Sequence, residues 1–183
     1  AGISYPDENY RIWREIADCT VVEYVISGRG TVILDGKDYA VKAGDIYLLP
    51  VGHKHLYYAD KNDPWEKIWF NAVGTLPEKL LAEYNPRNQV VFENAGGISY
   101  FHQIHAIGET DTFSAEEKHN KAALVFHELL QYLYIGFYRE EQQLSSEILC
   151  MKTYLENHVT QNVSLKELRD LVFLSESQIT NYD

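Results

Sequence analysis

At 183 residues the chain has room for one barrel-sized domain plus helices and can bury most of its apolar surface, but a second large domain does not fit. Sixteen basic against 27 acidic residues give a net charge of −11, a poor match to a polyanion, which argues against direct nucleic-acid binding by this chain as it stands. No apolar run approaches the ~20 residues of a membrane helix, and Ala1-Gly2-Ile3-Ser4 has neither the charged nor the apolar region of a signal peptide, so a cytoplasmic protein without a membrane partner is expected.

Residues 1 to about 17 mix a turn at Tyr5-Pro6-Asp7-Glu8-Asn9 with a short arm or edge strand at Tyr10-Arg11-Ile12-Trp13-Arg14. From Thr20 onward, segments rich in β-branched and aromatic residues are punctuated by Gly, Asp, Asn or Pro. They predict strands over 20–27, 31–34, 38–41, 46–50, 56–59 and 65–73. Many short strands at this spacing mean a sandwich or a barrel. Asp35-Gly36 carries the turn chemistry of a two-residue hairpin.

After Gly74 the composition turns helical. A short helix over 75–84 is ended by Pro86, residues 89–92 read as a last strand, and 97–108 as another short helix. Ser114 can cap the longest helix, with Glu117 answering three residues later, and that helix is expected to reach about Arg139. A further helix follows over 145–158, Ser164-x-x-Glu167 opens another, and Ser175-x-x-Gln178 the last. Cys19 and Cys150 fit no metal-binding spacing and read as two reduced, buried thiols.

Gly44, Pro50, Gly52 and His55 fit the spacing G-x5-P-x-G-x2-H, the second half of the cupin signature. Together with Ser27-Gly28-Arg29-Gly30, Asp63-Pro64-Trp65, Trp69-Phe70 and Gly74, this order of parts resembles the sensor domain of AraC-type transcription regulators across about residues 10 to 75. The resemblance implies an α+β, mainly β chain: a cupin-like double-stranded β-helix barrel with its arm over 1–108, a helical dimerisation element over 109–144, and an incomplete DNA-binding domain, a partial helix-turn-helix, over 145–183. It also implies a small-molecule effector, a sugar first of all, and no catalytic residue, metal or cofactor.

Strand alternation puts Lys67, Trp69 and Asn71 on one face and His55 with Tyr57 on another, while Val21, Glu23, Val25 and Ser27 turn inward. In the resembling sugar sensors a tryptophan at the position of Trp69 stacks on the ligand and a tyrosine at that of Tyr57 hydrogen-bonds it. The expected ligand-binding set is Arg11, Trp13, Glu23, His55, Tyr57, Lys67, Trp69 and Asn71. A buried Glu23 needs a partner, and Arg11, Arg14 or Lys67 could supply one.

Cupin barrels also house metal enzymes, so the alternative is a sugar isomerase or a dioxygenase. His53-x-His55 is the feature in its favour, yet residues 18–36 hold no histidine, and two imidazoles need a carboxylate such as Glu23 to complete a ligand set. A third reading is a dimerising scaffold whose barrel is plugged by its own side chains.

In the helical half, Ala122, Phe126, Leu129 and Leu133 recur at 4-3-4 spacing, and apolar residues load the other sides of the same helix. Burial beneath neighbouring helices of the same chain would account for this pattern; the resemblance implies instead homodimerisation through the helix, by Phe126, Leu129, Leu130, Leu133 and Phe137. Met151 to His158, Ser164 to Leu168 and Leu174-Ser175 resemble the opening of an AraC-type helix-turn-helix domain, with Arg169, Phe173 and Asp183 departing from its pattern. DNA is therefore expected as a partner only through a complete parent protein.

Overall fold

The simplest element shows how local chemistry builds the rest. Asp35 and Gly36 both take positive φ, 49° and 83°, the geometry of the two-residue turn that best matches the twist of antiparallel strands. They join β4 (Arg29–Leu34) to β5 (Lys37–Lys42), which pair from Arg29 opposite Lys42 to Leu34 opposite Lys37.

This computed structural model describes residues 1–158 and 163–172. Around that hairpin lie β1 (Gly2–Ser4), β2 (Arg11–Arg14), β3 (Thr20–Ser27), β6 (Ile46–Leu49), β7 (His55–Ala59), β8 (Glu66–Ala72) and β9 (Val91–Phe92). The helices are α1 (Thr75–Tyr84), α2 (Ile98–Glu109), α3 (Ala115–Asn157) and α4 (Leu165–Val172). One sheet runs β1-β8-β3-β6-β9 and the other β2-β7-β4-β5, every named pair being antiparallel. The fold is α+β, with the two sheets closing into a cupin barrel and the helices following it in the chain.

The first sheet buries both of its faces, which is why β3 reads Val21-Val22-Glu23-Tyr24-Val25 with little polar relief. Val21, Val25, Tyr47 and Leu49 turn toward the second sheet and meet Val32, Val41, Tyr57, Ala59 and Trp65 in one core cluster. On the opposite face, Phe70 meets Phe101 of α2 at 5.4 Å and Phe126 of α3 at 5.5 Å between ring centres. Aromatic pairs at these distances stabilise the sheet–helix layer beyond the area they bury.

The chain divides into two compact units, residues 1–137 and 138–183. The boundaries read from the sequence at 108 and 144 fall inside α2 and α3 respectively. Where two helices are expected over 114–139 and 145–158, there is a single helix of 43 residues. Residues 140–144, Glu-Glu-Gln-Gln-Leu, hold strong helix formers and no Gly or Pro, so nothing local stops it. Both capping boxes form: Glu117 N–H donates to Ser114 Oγ at 3.2 Å and Ser114 N–H to Glu117 Oε2 at 2.8 Å, with the same reciprocity between Ser164 and Glu167. These bonds hold both glutamates below the usual carboxylate range.

Phe126, Leu129, Leu130 and Leu133 are buried in a single copy of the chain, and Phe137 packs edge-on against Phe92 at 5.1 Å. Those five side chains are occupied by the chain's own packing. Among the described residues, the large apolar side chains that α3 leaves to solvent are Leu124, Ile135, Leu155 and, in part, Tyr132. Cys19 is buried as expected, whereas Cys150 sits on a solvent-facing position of α3; both thiols are free. The expectations on Phe173, Leu174, Ser175 and Asp183 lie outside the described residues.

Candidate effector site inside the barrel

Register brings the polar centre together. Glu23 on β3 lies opposite Tyr47 on β6 and opposite Trp69 on β8, so the three share a face, while Lys67 joins them opposite Val25. Lys67 is fully buried and Glu23 nearly so. Tyr47 donates to Glu23 Oε2 at 2.5 Å, Lys67 Nζ donates to the Tyr47 hydroxyl at 2.9 Å, and Lys67 and Glu23 form a direct ion pair. Charges taken out of water persist only when paired and hydrogen-bonded in this way.

Aromatic rings complete the surroundings. The Lys67 ammonium lies 4.5 Å from the ring centres of Tyr57 and Trp65, 5.0 Å from Tyr10 and 5.6 Å from Tyr47. Burial pulls the ammonium below its ordinary pKa, and the Glu23 carboxylate holds it up. Burial, followed by the Glu23 charge, pushes Tyr10 up to about 12 and raises Tyr47 and Tyr57 well above the ordinary phenol value, so all three keep their hydroxyl protons.

Two buried side-chain nitrogens among the described residues have no hydrogen-bond partner: His55 Nδ1 and Trp65 Nε1. Both residues are 1% exposed. The Arg14 guanidinium approaches His55 Nε2 at 3.5 Å; it can only donate, so Nε2 accepts and the proton resides on Nδ1. The barrel therefore contains two unmatched N–H donors, each costing about 1–3 kcal/mol until an acceptor reaches it.

Burial, with the Arg14 charge adding and Asp35 opposing, lowers the His55 pKa from 6.5 to about 4. The unfolded chain takes up this proton more readily than the folded one, so stability held above pH 6.5 is lost as pH falls from 6.5 toward about 4. His55→Phe is expected to flatten the stability profile in that window, read as urea midpoints at about pH 7 and about pH 5. Parallel profiles for parent and variant would refute the assignment.

Of the residues read from the sequence, the interior brings together Glu23, His55, Tyr57 and Lys67. Trp69 shares the Glu23 face but is half-buried, its ring over Gly2 and its Nε1 donating to Ser4 Oγ at 2.7 Å. Asn71 is exposed. Arg11 and Trp13 stand on the outer face of β2, Arg11 over Tyr58 and Trp13 beneath Lys54, because Ile12 and Arg14 take the inward positions opposite Tyr57 and His55. Tyr10, Arg14, Tyr47 and Trp65 belong to the interior and are missing from the sequence-based set. Tyr47 carried a faint signal, one polar hydroxyl in the otherwise apolar run Ile46-Tyr47-Leu48-Leu49.

His53 and His55 do not converge: His53 lies at the surface with Nδ1 2.6 Å from Asp35 Oδ2, while His55 is enclosed. Among the described residues no group of three or more His, Cys, Asp or Glu is placed to hold a metal ion.

Two antiparallel sheets enclosing a polar centre lined by aromatics define a cupin-like barrel. The chain belongs to the AraC-like ligand-binding domain family, whose model matches residues 1–156. It is 31% identical over 77 residues to the Msm operon regulatory protein of Streptococcus mutans and 35% identical over 79 residues to the raffinose operon transcriptional regulatory protein RafR of Pediococcus pentosaceus. Each match covers 42% of this chain and 28% of the relative, so the matched segment spans little more than a quarter of the length of either regulator. Among solved structures it is similar to a cupin protein from Bacteroides fragilis, at 16% identity and a TM-score of 0.36 over 39% of this chain and 63% of that one. ToxT from Vibrio cholerae matches at 7% identity and a TM-score of 0.46 over 98% of this chain and 72% of that one. Among the described residues no helix is long and apolar enough to cross a membrane.

Proposed function

We propose that this chain is the effector-sensing part of an AraC-type transcription regulator, that a carbohydrate binds inside the barrel, and that binding controls DNA recognition by a longer, dimeric, cytoplasmic protein. The observation carrying the reading is the pair of unmatched donors, His55 Nδ1 and Trp65 Nε1, beside the Glu23–Tyr47–Lys67 centre. Sugar hydroxyl oxygens accept from such donors, and the rings of Tyr57, Trp65 and Trp69 offer platforms for the apolar faces of a sugar ring. The raffinose-operon regulator among the relatives makes raffinose the first sugar to test.

Tyr10, on the segment leading into β2, lies over the Lys67 ammonium and beside Tyr57 at 6.3 Å, so this arm closes the site as it stands. An effector that binds better with the arm rearranged shifts the population toward that state, which is what a sensor must do. A partner copy would meet α3 at apolar positions such as Leu124 and Ile135, which the chain's own packing leaves exposed.

Thermal-shift and calorimetric titrations with raffinose and a panel of mono- and oligosaccharides test the reading. One sugar is expected to raise the melting temperature; Trp65→Phe, which keeps the ring volume but loses the N–H, weakens that sugar roughly tenfold. Trp69→Ala removes the response. Silence across the whole panel would end the carbohydrate assignment.

A further inference from the structure

Outside the barrel, the helix-facing side of β8 borders a separate empty space. Lys67 and Trp69 turn toward the interior, whereas Phe70 turns toward the helices. Behind Phe70, between residues 73–77 at the start of α1, the end of α2 and the first turns of α3, lies a cavity of about 490 Å3. Its walls are Phe70, Ile104, Ile107 and Phe126. The space exists because small residues meet there: Ala122 and Ala123 on α3, and Gly108 on α2, where an added Cβ would touch nothing within 4 Å. The volume is that of an ordinary small-molecule site, and apolar walls of this extent gain from being covered.

The lining holds one charged side chain, the Lys118 ammonium. Lys118 and His119 line the cavity from the start of α3, and the described lining includes no Asp or Glu, in a chain whose net charge is −11. Lys118 Nζ donates one proton to the Gly108 carbonyl at 2.8 Å, which anchors the ammonium at the cavity with further donors to offer. Lys118, Ala122 and Phe126, spaced four residues apart, form one helical stripe that runs from cation through small residue to aromatic wall.

We propose that this cavity binds a small molecule with a compact apolar body and a single anionic group, the anion seated at Lys118 and His119 and the body against Phe70, Ile104 and Phe126. The site is independent of the carbohydrate reading, because it occupies the other face of β8 and shares no lining residue with the barrel centre. A charge-assisted contact to Lys118 supplies the selectivity for an anion, and the void beside Ala122 and Gly108 supplies the room.

The test uses anilinonaphthalene sulfonate as a fluorescent probe on the whole 183-residue chain, displaced by phenylbutyrate or by its uncharged partner phenylbutanol. Saturable fluorescence is expected, with phenylbutyrate the stronger competitor. Lys118→Gln should weaken phenylbutyrate roughly tenfold or more while moving phenylbutanol little. Ala122→Trp should fill the cavity and remove binding of both, the melting curve confirming the fold; Ala122→Leu serves the same end should tryptophan prevent folding. Absence of saturable binding, or binding unchanged by filling the cavity, overturns the site. Equal competition by acid and alcohol, or an equal loss of both in Lys118→Gln, overturns the anionic assignment. Raffinose leaving the probe in place separates this site from the barrel, and displacement by raffinose would overturn their independence.

Discussion

Replacing Lys67 by methionine is expected to destabilise the protein by about 3–5 kcal/mol, the usual consequence of stripping a buried charge of its partner. Glu23 is 3% exposed and cannot turn to water, and the Tyr47 hydroxyl alone is a weak substitute for an ammonium. The double variant Glu23→Gln with Lys67→Met should recover most of the loss, since no charge remains to be solvated. Urea unfolding followed by tryptophan fluorescence reads all of this. A Lys67→Met protein as stable as its parent, or a double variant as damaged as the single one, would show that the pair is not held in the interior as described.

Gly30→Ala is expected to cost about 3 kcal/mol or more, at the upper end of what overpacking produces. A Cβ on Gly30 would lie 2.3 Å from two ring carbons of Trp65 and 2.5 Å from the Tyr58 carbonyl oxygen. Neither can retreat: Trp65 is wedged against Tyr47 at 6.0 Å and Tyr57 at 6.5 Å, and Tyr58 sits in the β4–β7 ladder. Trp65→Leu in the Gly30→Ala background should return part of the stability, a coupling that identifies the ring as the obstacle. Melting curves of the two single variants and the double would measure it. Strictly additive effects would mean that the glycine is needed for some other reason.

The two results belong to one design. Gly30 lacks a side chain so that the Trp65 ring can lie across β4, and that ring, with Tyr10, Tyr47 and Tyr57, surrounds the Lys67 ammonium. Under the proposed reading, a ligand that accepts from Trp65 Nε1 would touch a ring packed against Gly30, Tyr47 and Tyr57.

Local chemistry by itself determined the strands over 20–73, the Asp35-Gly36 turn, the two capping boxes and the inward phase of Glu23, Tyr57 and Lys67. Each depends on neighbours a few residues away: alternation along a strand, positive φ in a turn, a hydroxyl three residues before a carboxylate. Tertiary structure alone decided the phase of β2, where arginines occupy both faces and only pairing with β7 turns Arg14 inward and Arg11 outward. It also decided which sides of α3 the chain covers for itself, since a helix apolar around most of its circumference carries no mark of which face the sheet will claim. Tyr47 joined the interior for a related reason: a sheet buried on both faces erases the contrast between core and lining, and only the register of β6 and β8 against β3 restores it, while Trp65 was placed by its packing over Gly30 and against Tyr47 and Tyr57.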